Sequence, residues 1–180
     1  MKRALFALAL AAALPMSAQA SELSYSFVEL DYVNIDNDAD GFGVRGSVGF
    51  GDTGFYGLGG YSNVELDNFN VDIDFYEIGL GYHHPVSDKA DVIAELAYQN
   101  AEALNTSADG YRLSGGFRGH LAERFEGLVK LNYVDGNDVD GDFTGTLGGQ
   151  FNFNEMWGMT GEVEFADGGQ SYLVGVRASF

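Results

Sequence analysis

Cysteine is absent from the 180 residues, which removes disulfides, thiolate nucleophiles and cysteine-ligated zinc or iron–sulfur centres together. Basic residues are scarce: 9 Lys+Arg stand against 27 Asp+Glu, for a formal charge of -18. Neutralising phosphates needs clustered cations, so nucleic acid is excluded as a partner. Proline occurs only twice and no collagen-like period accompanies the 26 glycines, which instead suit tight turns and closely approaching strands. Long apolar runs are also missing. The one candidate, Ala4 to Leu14, falls short of the roughly 20 residues a membrane-spanning helix needs. Strong acidity without a core would mean disorder, but 46% hydrophobic and 14% aromatic residues are enough to bury one.

That short apolar run has its own meaning. Lys2 and Arg3 precede it, Pro15 follows, and Ala18-Gln19-Ala20 closes the segment with a small-residue cleavage triplet. Residues 1–20 read as a secretory signal peptide cut after Ala20, leaving residues 21–180 as one mature domain. The mature chain keeps seven basic residues and all 27 acids, a formal charge of -20.

Beyond Ala20 the dominant period is two, the signature of strands. Phe42, Val44, Val48 and Phe50 share one face of their segment, opposite Gly43, Arg45, Ser47 and Gly49. Tyr76, Ile78, Leu80 and Tyr82 oppose Glu77, Gly79, Gly81 and His83, and the last segment sets Tyr172, Val174, Val176, Ala178 and Phe180 against Ser171, Gly175, Arg177 and Ser179. Ten such segments are counted, with eight as the alternative. In the first, Leu23 to Asn34, two carboxylates on a lipid face would be costly, so Val28, Leu30 and Tyr32 are placed outward with Glu29 and Asp31 inward. In Phe55 to Tyr61, Gly57, Gly59 and Gly60 leave the facing undecided.

The connections alternate too. Ile35 to Asp40, Leu66 to Asp72, Ala101 to Asp109, Gly136 to Gly141 and Asp167 to Gly169 read as acidic, mostly longer loops; Gly51 to Gly54, Pro85 to Ala90, Ala122 to Arg124 and Asn154 to Met156 read as compact turns. An even number of strands, short turns on the periplasmic side with both termini, longer outer loops and aromatics at strand ends define a transmembrane up-and-down antiparallel β-barrel, an all-β fold. A secreted soluble barrel would alternate as well. Its polar face would be a charged exterior, whereas here that face is full of Gly, Ser and Thr with sparse charges of both signs, which suits a narrow lumen.

The final run, Tyr172 to Phe180, resembles the outer-membrane sorting signal read by the barrel-assembly machinery, which implies that machinery as a partner through Phe180. Tyr25 with Val28-Glu29 and Tyr32-Val33, Gly59-Gly60-Tyr61-Ser62, Ile78-Gly79-Leu80-Gly81-Tyr82, Ala97-Tyr98-Gln99, Phe125-Glu126-Gly127 and Gly175-Val176-Arg177 together resemble the diffusible-signal-factor-regulated outer-membrane proteins, a family of small, OmpA/OmpX-like barrels. The resemblance covers the mature chain through order and spacing. It implies an outer-membrane barrel with no catalytic residues, ligand or cofactor to carry over.

No catalytic, cofactor-binding or metal constellation emerges from the residues themselves. His83 and His120 fall on lumen faces while His84 starts a turn, so the three do not converge as a metal site requires. None sits on a lipid face as a lipid A deacylase would need. About 16 mature residues per strand, connections included, leave little to build the tall cleft of an omptin-type protease. Asp36-Asn37-Asp38-Ala39-Asp40-Gly41 opens like a calcium loop, but position 12 falls on Ser47 instead of a bidentate Glu; Asp138 to Asp142 is a second acidic knot. Weak gathering of divalent cations by acidic loops is the expectation, alongside outer-membrane lipid and lipopolysaccharide as surroundings and a monomeric state.

The inward faces are expected to carry Glu29, Asp31, Arg45, Glu77, Glu95, Arg112, Arg118, Glu126, Lys130, Glu162, Glu164 and Arg177, five of the mature chain's seven basic residues among them. Buried charges must be paired, so this set reads first as a plug of ion pairs inside a barrel with a structural or surface-interaction role. The alternative is a narrow channel for water or small ions. Ten strands lie just above the eight that side chains fill and far below the sixteen of wide porins.

Overall fold

The computed structural model describes residues 23–36, 38–66, 71–104, 106–137 and 141–180. The signal segment, the middle of the Leu66 to Asp72 connection and Asp138-Val139-Asp140 lie outside the described residues. Ten antiparallel strands close into a barrel in which each pairs with its sequence neighbours and the last with the first. They are β1 (Phe27–Ile35), β2 (Ala39–Gly49), β3 (Phe55–Leu66), β4 (Val71–Ser87), β5 (Ala90–Ala103), β6 (Thr106–Ala122), β7 (Phe125–Gly136), β8 (Asp142–Asn152), β9 (Trp157–Ala166) and β10 (Gly169–Ser179). A single 3-10 turn, Gly51–Thr53, joins β2 to β3. The strand number is therefore ten, not eight.

Closure depends on the terminal residues. Leu30 pairs with Val176 across the seam, and beyond the last strand residue the Phe180 N–H donates to the Ser26 carbonyl at 2.9 Å. The Ser24 hydroxyl in turn donates to the Phe180 carbonyl at 2.9 Å. Both termini thus lie at one end of the barrel, with the turns after β2, β4, β6 and β8; the other five hairpins form the opposite, loop end.

The alternation sorts faces as expected. Leu30, Phe42, Ile78, Leu96, Leu131 and Val174 are all exposed on the outer wall, while Glu29 and Asp31 are buried inside. Each strand also presents one aromatic outward near the loop end: Tyr32, Phe42, Tyr61, Tyr76, Tyr98, Tyr111, Tyr133, Phe143, Phe165 and Tyr172. Four hairpins place two of them opposite each other, Tyr32 with Phe42, Tyr61 with Tyr76, Tyr98 with Tyr111 and Tyr133 with Phe143. Such amphipathic rings stabilise a membrane interface. A second set, including Phe50, Phe55, Tyr82, Phe125, Phe151 and Trp157, girdles the terminus end.

The undecided face of β3 is settled by cross-lumen contacts. Tyr56 and Val64 point inward, 3% and 1% exposed, and Phe55 and Tyr61 point outward. Tyr56 reaches the Glu95 carboxylate with its hydroxyl at 2.8 Å, a bond available only from the inner face.

Two expected connections are not loops. Ala101 to Asp109 continues β5 and β6, with Ala103 paired to Thr106 and only Leu104 and residue 105 between the strands. Alternation persists there through small alanines facing inward, so no apolar side chain large enough to signal a strand appears in the sequence. Pro85 to Ala90 likewise extends β4 to Ser87, absorbing an irregularity between Pro85 and Ser87. As a result β4 and β6 reach 17 residues each, and the wall they form with β5 stands taller than the estimate from mean strand length allowed. The segment that opens like a calcium loop is also shorter than a loop. Gly41 is paired to Val33 inside β2, and the Asp36 carboxylate accepts the Gln170 N–H at 2.6 Å, which commits it to the neighbouring hairpin.

Glycines bend the wall where strands approach. A Cβ on Gly41 would lie 1.9 Å from the Asn63 carbonyl oxygen, and one on Gly116 would lie 2.0 Å from that of Val129. Gly115, on the outer wall beside it, has open space instead.

Candidate functional site

The lumen is the only place where charge converges inside the described barrel. Arg45 on β2 sits at its centre. Its guanidinium donates to Glu29, to Asp31 at 2.9 Å and to Glu162 of β9 at 3.1 Å, so one cation holds three carboxylates from β1 and β9. Glu29 is shared with Arg177 on β10, which also donates to Gln150 at 2.9 Å. Strand pairing produces this: Glu29 lies directly between Arg45 and Arg177 in the ladder, all three on inward positions.

Towards the loop end, Arg112 meets Glu164 through two nitrogens at 2.9 and 3.3 Å. Thr144 and Thr146 both donate to Glu164 and both accept from Asn132 Nδ2. Next to this network, Lys130 of β7 pairs with Glu95 of β5 at 3.0 Å. All twelve charged residues expected inside face the lumen.

The terminus end is lined by a cluster that periodicity did not reveal. Tyr25 stacks on His83 at 3.9 Å between ring centroids, lies 4.9 Å from Tyr56 and donates to Asp91 at 2.9 Å. Ile93, Leu23, Leu58 and Leu128 pack around it. Arg118 covers the Tyr25 ring at 5.1 Å, binds Glu126 at 2.6 Å and donates to the Ser24 carbonyl at 2.7 Å. Tyr25 therefore crosses from β1's leading end to β4, β5 and β6. His83 joins Asp91 at 3.0 Å, while His84 is exposed on the outside, so these two histidines do not converge. Above the charged middle the inner wall turns apolar, with Val33, Val64, Leu66, Ile73, Phe75, Ala101 and Ala103 on inward positions.

Two features distinguish this lumen from a solid plug. A cavity of about 100 Å³ lies among Arg45, Glu95, Arg118, Lys130, Glu162 and Arg177. Among the described residues, five buried polar atoms also lack a protein partner: Arg112 Nε, Ser114 Oγ, His120 Nε2, Asn132 Oδ1 and Thr160 Oγ1. All belong to inward positions of β6, β7 and β9. Buried polar atoms are normally satisfied, and where protein does not supply the partner water does.

The charges do not balance. Counting Asp91, eight carboxylates on β1, β4, β5, β7 and β9 face five fixed cations, Arg45, Arg112, Arg118, Lys130 and Arg177. Glu77 has a hydrogen bond from Gln99 at 2.6 Å but, among the described residues, no Lys or Arg partner.

Comparison with solved structures places this barrel among outer-membrane porins in fold. A KdgM porin matches with a TM-score of 0.55 at 16% identity, over 86% of this chain and 99% of that one. The same porin in complex with disordered oligogalacturonate gives 0.54 at 18%, over 86% and 99%. The NanC porin gives 0.56 at 10%, over 85% of this chain and 100% of that chain. No protein-family model and no curated protein sequence matches.

Proposed function

We propose that the chain is an outer-membrane barrel forming a narrow channel for water and small ions. The unpartnered polar atoms of Arg112, Ser114, His120, Asn132 and Thr160 carry this reading, because they line one side of the lumen with groups that water must satisfy. The porin-type fold supports it. The oligogalacturonate named for the KdgM porin is not carried over: it is a polyanion, and carboxylates outnumber cations here. Lumen width excludes large solutes as well.

Several parts of this reading rest on sequence: cleavage after Ala20, membership of the diffusible-signal-factor-regulated barrels, assembly through Phe180, and a monomer among lipopolysaccharide. A second reading, a surface role, has one observation in its favour. Outward positions beyond the aromatic ring are acidic, including Asp40, Glu65, Asp72, Asp74, Glu102 and Asp135, and such a wall would draw divalent cations and the lipid phosphates they bridge.

Planar-bilayer recording on protein extracted from outer membranes separates the two. Small, steady conductance is expected. A folded protein that never conducts overturns the channel, and protein found free in periplasm or medium without detergent overturns the membrane location.

A further inference from the structure

We propose that the lumen passes small monovalent cations in preference to anions, with Glu77 the residue that sets the preference. The inference rests on the channel reading above and adds the class of ion. Two independent observations carry it.

The first is the fixed-charge deficit. Every lumen Arg and Lys is occupied by carboxylates: Arg45 by three, Arg177 by Glu29, Arg118 by Glu126, Arg112 by Glu164 and Lys130 by Glu95. An entering anion finds no cation without a carboxylate on it, and among the described residues only the Arg112 Nε–H is left without a protein partner. Glu77, on the inward face of β4 just below the apolar mouth, carries charge that no Lys or Arg offsets. Rings or patches of carboxylate in a low-dielectric wall raise local cation concentration and exclude anions.

The second is the chemistry of the unpartnered atoms. Three of the five are oxygens on side chains at least nine-tenths buried: Asn132 at 0%, Ser114 at 4% and Thr160 at 4% exposed. Asn132 is held in its orientation because Nδ2 donates to both Thr144 and Thr146, which leaves Oδ1 as the free end. Ser114 is its direct cross-strand partner and also pairs with Glu95 on the other side. Neutral oxygens beside a carboxylate replace part of a hydration shell for a hard cation such as K⁺, and offer an anion only hydroxyl hydrogens.

The test is the reversal potential of purified full-length protein in planar bilayers under a KCl gradient. The expected sign is cation selectivity. Glu77→Gln should lower the ratio of K⁺ to Cl⁻ permeability by about twofold or more, since it removes one of the three carboxylates in excess of the fixed cations and the one that, among the described residues, meets no cationic side chain. Glu123→Gln, in the exposed turn between β6 and β7, should leave the ratio unchanged. Added oligogalacturonate should not block the current. Conductance with anion selectivity, or a Glu77→Gln protein with an unaltered ratio, overturns this inference while leaving a channel. Absence of any current in the folded parent overturns the channel and this proposal with it.

Discussion

Replacing Arg118 with leucine should destabilise the barrel more than replacing Arg112, and far more than replacing Arg124. Arg118 and Glu126 are 9% and 8% exposed, and the guanidinium bonds Glu126 at 2.6 Å and the Ser24 carbonyl at 2.7 Å. Removing one member of a buried pair leaves the other charge uncompensated, at about 3 to 5 kcal/mol. Arg112 and Glu164 form a similar pair, but at 24% and 19% exposed they keep some water, which lowers the cost to about 2 kcal/mol. Arg124 is exposed in the β6 to β7 turn, where an ion pair would be worth about 0 to 1 kcal/mol. A double replacement, Arg118→Leu with Glu126→Leu, removes both charges and should recover much of the loss, short of the Ser24 contact. Urea unfolding in lipid vesicles measures the series, read by the single tryptophan, Trp157, which faces outward at the terminus end. Equal losses for the three single variants, or a double variant as poor as the sum of its parts, would refute the account of the lumen as paired charge.

Deleting Phe180 should reduce the heat-modifiable, folded fraction without reducing synthesis, because its backbone makes the last two bonds of the seam with Ser24 and Ser26. Gly116→Val should prevent folding, since its Cβ would sit 2.0 Å from a carbonyl oxygen, whereas Gly115→Val, with nothing within 4 Å, should fold normally; gel mobility with and without heating distinguishes the two, and a folded Gly116→Val barrel would contradict the close approach.

Much of this molecule is written in parity. Glu29 and Asp31 among Val28, Leu30 and Tyr32 are enough to orient β1, because only one placement keeps carboxylates out of lipid. The twelve inward charges follow from the same rule applied strand by strand. Beta-3 was opaque because Gly57, Gly59 and Gly60 have no side chains to declare a face, and it took the reach of Tyr56 to Glu95 to fix it. The tall wall was hidden for a different reason: Ala101, Ala103 and Ala108 alternate with acids, and small inward residues beside outward carboxylates look like a solvated loop. Closure itself brings Tyr25 to Asp91, 66 positions away in the chain. Local pattern carries no trace of a contact made across the lumen.

The aromatic ring also marks where each face changes its solvent. On β4 the outward side chains run from Asp72 and Asp74 through Tyr76 to Ile78 and Leu80, while the inward ones run from Ile73 and Phe75 to Glu77. A uniform alternating strand could slide by two residues without moving any side chain to the wrong face. In a barrel seated in a bilayer, the same slide would carry Asp74 down towards the level of the acyl chains, or lift Ile78 into water. A charge moved towards the bilayer midplane costs up to about 2 to 4 kcal/mol, less near the interface, and the penalty would recur on each neighbouring strand whose acid sits beyond its aromatic. Height, and not only facing, is thereby encoded, so each hairpin has a single depth at which both of its solvents are right.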